Sequence, residues 1–364
     1  MLHHFRGSLI AAALVAPTTL IALAGPAAAD DNRSEGTTVF TQTNAAAGNE
    51  LIALSSAGGS LHEAARYATG GTGTGTGLGS QGAVFASDGR LLAVNAGSNS
   101  LSLFRIGRSG ALERTDVEPT GGVRPVSVTV HDNVAYVVNA GDRTISGFRI
   151  RGGSLTPIAG SVQNLPGDGA AQISFDSDGR RLVVTEKATQ TIDVLPVRDG
   201  IAGAAVSNPS TGPTPFGFAI DRRDHVIVSN AAGGGASSVS SYQLAKRTSL
   251  TLTPISSAVG DTQSAACWIA LSGNGRYAYT TNAASGSISS YNLAKDGSLT
   301  LANAQAALPG GGAADMAVAG NTLFTRVGGT SNTVQAHTIS KDGALTPAGQ
   351  VAVPAGVQGL AVTN

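Results

Sequence analysis

A carboxylate and an ammonium stand side by side at Glu186 and Lys187, just after the strand-type run Leu182-Val183-Val184. Much the same stretch is written about seven times along the chain. At the corresponding place the other copies carry Ala45, Ala96, Ala140, Ala231, Ala283 and Val327. A small residue in those copies predicts a tight setting, and a carboxylate placed there must be hydrated, paired or shifted in pKa. Such a group in a cleft is a functional candidate, and Lys187 follows it directly. The competing reading is a rim charge pair between Glu186 and Lys187 with no chemical role. Arg326 is the second departure from the pattern. Most copies end this strand with Asn, at Asn44, Asn95, Asn139, Asn230 and Asn282, with Thr185 and Arg326 in the same slot. Arg326 is read as an anion-binding partner.

A second group of residues opens the innermost strand of each copy: Gln81, Arg124, Gln172, Phe216, Gln263, Trp268, Asp315 and Gln358. These positions are expected at the mouth of a central channel, where every copy contributes a loop. Phe216 and the sole tryptophan, Trp268, suit contact with an apolar or sugar ring there, or else fill the core between neighbouring units. Other chemistries find little support. His62, His131, His225 and His337 show no metal-ligand spacing and read as exposed side chains. Asp176 and Asp178 lack the remaining positions of a calcium loop and read as a hairpin turn. Cys267 lies in an apolar context and reads as a buried thiol. No G-x-S-x-G elbow occurs. Neither a metal nor an organic cofactor is expected.

The elements that position these residues are strands and tight turns. Asp178-Gly179-Arg180 is turn chemistry, Leu182 to Val184 is a short apolar run, and Ile192 and Val194 alternate with polar neighbours. The strand-ending residues recur at gaps of 51, 44, 46, 45, 52 and 44. A period near 45 built only from strand and turn signals predicts an all-β fold, a seven-bladed β-propeller of four-stranded antiparallel blades. In the third copy the strands are expected at Pro125 to Val130, Ala135 to Asn139, Thr144 to Ile150 and Leu155 to Val162. Lys295-Asp-Gly-Ser-Leu299 and Lys341-Asp-Gly-Ala-Leu345 are hairpin signals between third and fourth strands. The chain enters at Thr38 to Asn44 as a second strand and leaves at Val357 to Asn364 as an innermost one. The C-terminal strand is thus expected to complete the first blade and close the ring. Gly70 to Gly82, with no helix pattern after it, reads as a flexible loop between blades one and two.

The 364 residues, with one cysteine, are expected to bury a sizeable core without disulfides. Basic and acidic residues balance at 23 each, with no charge block, so nucleic acid is not an expected partner. Residues 1–29 read as a signal peptide, with Arg6 before the apolar run Leu9 to Leu23 and Ala27-Ala28-Ala29 at its end. Residues 30–36 read as a polar, disordered start and 37–364 as a single propeller domain. A secreted, periplasmic or cell-envelope monomer with no membrane span after signal cleavage follows as the expectation.

The repeats Ser177 to Val197 and Ser272 to Thr300 (SGNGRYAYTTNAASGSISSYNLAKDGSLT) resemble those of the lactonase family of seven-bladed propellers, which includes the propeller-type 6-phosphogluconolactonase and the carboxy-muconate lactonising enzyme. In catalytic members an Arg-His pair opens the inner strand of the corresponding blade, and Asn-Glu ends its second strand. Glu186 matches that Glu, Thr185 stands for the Asn, and Ala171-Gln172 stand for the Arg-His. The resemblance implies lactone hydrolysis or lactonisation of a small cyclic ester, with Glu186 as general base and Arg326 or Lys187 supplying positive charge. The alternative is a non-catalytic envelope propeller that binds a glycan, peptide or protein partner. In either case the expected ligand is a small molecule or glycan in the central channel.

Overall fold

The computed structural model describes residues 1–3, 36–57, 60–245 and 249–363. The expected signal peptide and polar start, from residue 4 to residue 35, lie outside the described residues. Contacts divide the chain into Met1–Ser34 and Glu35–Asn364, and the second unit is a seven-bladed β-propeller. The innermost strands are Val84–Ser87, Pro125–His131, Ala170–Phe175, Pro215–Ile220, Ala266–Leu271 and Ala313–Ala319 for blades two to seven, with Gln358–Val362 in blade one.

The blades form because short β-branched and apolar runs alternate with turns that favour a left-handed residue. Gly297 and Gly343, in the Asp-Gly hairpins of blades six and seven, have φ of 85° and 83°, a region glycine adopts without a Cβ clash. Second strands such as Tyr277–Asn282 and His225–Asn230 are buried along their whole length, on both sheet faces. The core accordingly consists of clusters between blades. One joins Leu92, Val94 and Leu103 of blade two to Val128, Val137 and Phe148 of blade three.

The C-terminal strand closes the ring. Val39 pairs with Val362 and Phe40 with Ala361, and Thr41 Oγ1 donates to Gly359 O at 2.7 Å. Pairing the two chain ends removes the sheet edges that an open ring would expose.

Three expectations need correction. The fourth strand of blade three does not run through Leu155 to Val162. It is split into Ser154–Pro157 and Gln163–Asn164, both paired to the third strand. Pro157 lacks an N–H, and the chain then leaves the ladder so that Ser161 Oγ can take up the Gly147 N–H at 3.0 Å. His225 and His337 are not exposed; each is about 3% accessible. His225 packs under the Gly297 turn with Nδ1 2.9 Å from Asp221 Oδ2. Gly70 to Gly82 is more than a connecting loop. Its last residues cross to the inner strands of other blades.

Strand register also corrects the repeat alignment. Asn95, Asn139, Asn230 and Asn282 each close a second strand and face Ser100, Thr144, Ser238 and Ser287. In blade four the residue so placed is Glu186, facing Thr191, and in blade seven it is Val327, facing Thr333. Thr185 and Arg326 lie one residue earlier, on the opposite sheet face. Lys187, not Glu186, takes the small-residue position of blade four.

Candidate functional site

In four blades the strand-ending Asn donates its amide to two hydroxyls on the third strand. Asn282 Nδ2 reaches Ser287 Oγ at 3.1 Å and Ser289 Oγ at 2.8 Å, and Asn95, Asn139 and Asn230 do the same. Blade four reverses the polarity. Glu186 Oε2 accepts from Thr191 Oγ1 at 3.1 Å and Thr189 Oγ1 at 3.3 Å. The second hydroxyl position is occupied by Asp193, which pairs with Val184 and therefore shares a face with Glu186. Asp193 Oδ1 accepts from Ser207 Oγ at 2.6 Å. Glu186 and Asp193 both have zero exposure, and Glu186 Oε1 and Asp193 Oδ2 have no other donor. The two carboxyls share one buried face with no cation between them, an arrangement that favours one of them keeping its proton. Burial, then the Asp193 charge, pushes Glu186 up to about 7, and burial raises Asp193 as well. Gly167 closes the pocket from above. A methyl group on it would collide with Glu186 Oε2 and Thr189 Oγ1.

Lys187 points elsewhere, into the channel mouth. Its Nζ lies 4.8 Å from the centroid of the Phe216 ring and donates to Gly79 O at 2.5 Å. Phe216 and Trp268 stack at 5.1 Å with their rings tilted by 59°, so the ammonium rests on an aromatic wall. Burial lowers the Lys187 pKa to about 8; the nearby Cys267 opposes that shift and the positive charge of Arg124 adds to it. Cys267 is itself pushed up to about 12 by burial, so its thiol stays protonated. Arg124 is exposed at the same mouth, with its backbone N–H held by Asn99 Oδ1 at 2.7 Å.

The floor of this mouth is the segment Leu78 to Gly82, which plugs the channel. Its anchors are groups that bulges in the inner strands release from the sheet ladder. Ser80 Oγ donates to Val126 O at 2.8 Å, and the Gln81 N–H donates to Ala171 O at 3.0 Å. Val126 and Ala171 are the bulged residues of blades three and four. Across the ring, Trp268 Nε1 donates to Ser80 O at 2.9 Å. Gln81 clamps Ile269, donating to its O at 2.8 Å and accepting from its N–H at 3.1 Å.

The structure thus brings together Lys187, Arg124, Phe216, Trp268 and the backbone around Gln81. Gln172 is committed to the backbone of Phe218 by the same kind of clamp, and Gln358 accepts from the Leu78 N–H at 3.2 Å. Gln263 lies away from the channel, in a polar network of blade six with Ser287 and Gln305. Asp315 and Arg326 lie apart from Glu186, in blade seven, where Asp315 Oδ1 accepts from the Met316 N–H at 3.0 Å. Burial pushes Asp315 up to about 7, against the opposing charge of Arg326. No contact places Arg326 beside Glu186. Asp193, Gly167 and Ser80 were absent from the residues singled out by sequence. Asp193 had a readable signal, since it stands where the third strands of blades two, three, five and six carry Ser. Among the described residues no group of three or more His, Cys, Asp or Glu forms a metal-ligand set, and no helix is long and apolar enough to cross a membrane.

Comparison with known structures agrees with this architecture. A provisionally named 6-phosphogluconolactonase of Bacteroides fragilis superposes with a TM-score of 0.69 at 16% identity, covering 92% of this chain and 99% of that one. A second such protein, from Bacteroides uniformis, gives 0.72 at 16% identity over 90% and 99%. A periplasmic gluconolactonase of Pseudomonas aeruginosa gives 0.59 at 20% identity over 70% and 79%. At these identities the likeness is one of fold. No curated protein matches the chain. The sequence model described as "Lactonase, 7-bladed beta-propeller" matches residues 82–250 and 221–317. With the ring, its closing strand and that match together, the chain belongs to the lactonase family of seven-bladed β-propellers.

Proposed function

We propose that this propeller opens or closes a small cyclic ester at the channel mouth bounded by Lys187, Arg124, Phe216 and Trp268. The observation that carries the reading is the placement of the Lys187 ammonium on the Phe216 ring with no carboxylate among the described residues paired to it. Attack on a lactone carbonyl places negative charge on its oxygen, and a partly desolvated ammonium stabilises that charge better than a solvated one. Glu186 is the proposed general base, and a pKa of about 7 suits proton transfer near neutral pH. Because Gly167 covers its carboxyl, this role depends on the segment around Gly167 moving aside. A location outside the cytoplasm is part of the proposal. It rests on the signal-peptide reading and on the periplasmic neighbour of the same fold.

A second reading, a binding propeller without turnover, is favoured by the plug across the channel and by the zero exposure of Glu186. A panel of five- and six-membered lactones, neutral and anionic, separates the two. Turnover that falls at least about 100-fold in both Lys187→Met and Glu186→Gln supports the enzyme, with Lys187 as charge stabiliser and Glu186 as base. Turnover lost only in Lys187→Met removes the base role from Glu186. No turnover on any lactone, with binding retained, favours the second reading.

A further inference from the structure

We infer that Lys187 is a covalent capture site for small 2-oxo acids, its amine condensing with the ketone carbon while Arg124 holds the carboxylate. This goes beyond ester chemistry and does not rest on it.

Four features converge on Lys187. It replaces the alanine of blades two, three, five and six at a position beside the channel, so the side chain is an addition to a site that the fold builds without it. Its Nζ is set against the Phe216 ring and tethered to a single backbone acceptor, Gly79 O. No acidic side chain forms an ion pair with it among the described residues, and the thiol of Cys267 beside it is neutral. A lysine so desolvated releases its proton more readily than one in water, and the neutral amine is the nucleophile in imine formation. The charged and titratable groups facing it are Arg124 and Cys267. With no carboxylate among them, the second positive charge is left to an anionic ligand.

The reaction balances without oxidant or reductant. The neutral Nζ adds to the ketone carbon and a C–N bond forms. The resulting carbinolamine loses its oxygen as water, both protons of that water being supplied from the amine nitrogen and solvent exchange, and a C=N bond remains. The stacked Phe216 and Trp268 shield that bond from the water that would reverse it. The chain contains only four lysines, Lys187, Lys246, Lys295 and Lys341. Lys295 and Lys341 sit exposed in hairpin turns and serve as internal references.

The test uses the full chain incubated with pyruvate and sodium cyanoborohydride at pH 8, followed by digestion and mass spectrometry. Labelling at Lys187 is expected to exceed that at Lys295 and Lys341 by at least about tenfold. Arg124→Ala is expected to lower the ratio of pyruvate labelling to neutral propanal labelling at Lys187 at least about fivefold, the propanal arm accounting for the change in amine basicity when the guanidinium is lost. Equal labelling of the three lysines, or none at Lys187, overturns the capture site. A pyruvate-to-propanal ratio that Arg124→Ala leaves intact overturns the carboxylate role. Lactone turnover is read independently, so failure of the capture site and failure of the ester reading are distinguishable.

Discussion

Glu186 and Asp193 occupy one face of two paired strands, and each keeps one buried oxygen with no hydrogen-bond partner. In blades two, three, five and six the same two positions hold an amide and a hydroxyl. An amide satisfies its neighbours at any ordinary pH, whereas two carboxyls do so only while they share a proton. Blade four therefore carries at these positions a pH dependence that those four blades lack there.

Glu186 stays neutral in the fold up to about pH 7, while an unfolded glutamate ionises near 4.3. Between those limits the folded chain holds a proton that the unfolded chain has released. The stability contribution is complete below about pH 4.5 and is lost as the pH rises through 7, for a total of about 3 kcal/mol. The raised pKa of Asp193 acts in the same direction. Glu186→Gln removes this titration and supplies an amide donor to Asp193. Its melting temperature is expected to gain on wild type steadily from pH 5 to pH 8. A difference that stays constant over that range contradicts the shared proton.

Gly167 and Glu186 are coupled by contact. A methyl group at residue 167 has no room beside Glu186 Oε2, so Gly167→Ala is expected to cost about 1–3 kcal/mol. In a Glu186→Ala background the same change is expected to cost at least about 0.5 kcal/mol less, the remaining cost coming from Thr189 Oγ1, which the methyl group also meets. Chemical denaturation of the four proteins of this cycle gives the coupling directly. Additive effects would mean that Gly167 is required for another reason.

The plug is latched by Trp268. Trp268→Phe keeps the aromatic stack but removes the hydrogen bond to Ser80 O, a loss of about 1 kcal/mol. Hydrogen exchange at Gly79 to Gly82 is expected to accelerate by about fivefold, with the blades unaffected. Unchanged protection there would show that the Gln81 clamp alone holds the segment.

The ring depends on its last strand. Removing residues 357–364 exposes the first blade's strand Thr37–Gln42 along one edge and breaks the pairing of Phe40 with Ala361. The truncated chain is expected to aggregate or to melt at least about 10 °C lower. A soluble truncate with an unchanged melting temperature rules out the clasp as a stabilising device.

By itself the sequence determined the period, the strand and turn content, the number of blades and the closing role of the C-terminal strand. These follow from turn chemistry and from apolar alternation within a few residues, which are local. It also marked Glu186 and Lys187 as unusual. What it left undecided was which way each of them faces. Thr185, Glu186 and Lys187 are all polar, so alternation alone does not set their register, and a slip of one residue exchanges the two sheet faces. Pairing with Thr191 places Glu186 in a sealed acid pair and leaves Lys187 to the channel. The plug was likewise invisible in the chain. Ser80 and Trp268 are 188 residues apart, and no local pattern links them. Only closure of the ring, driven by burial between successive blades, brings the two across the channel from each other.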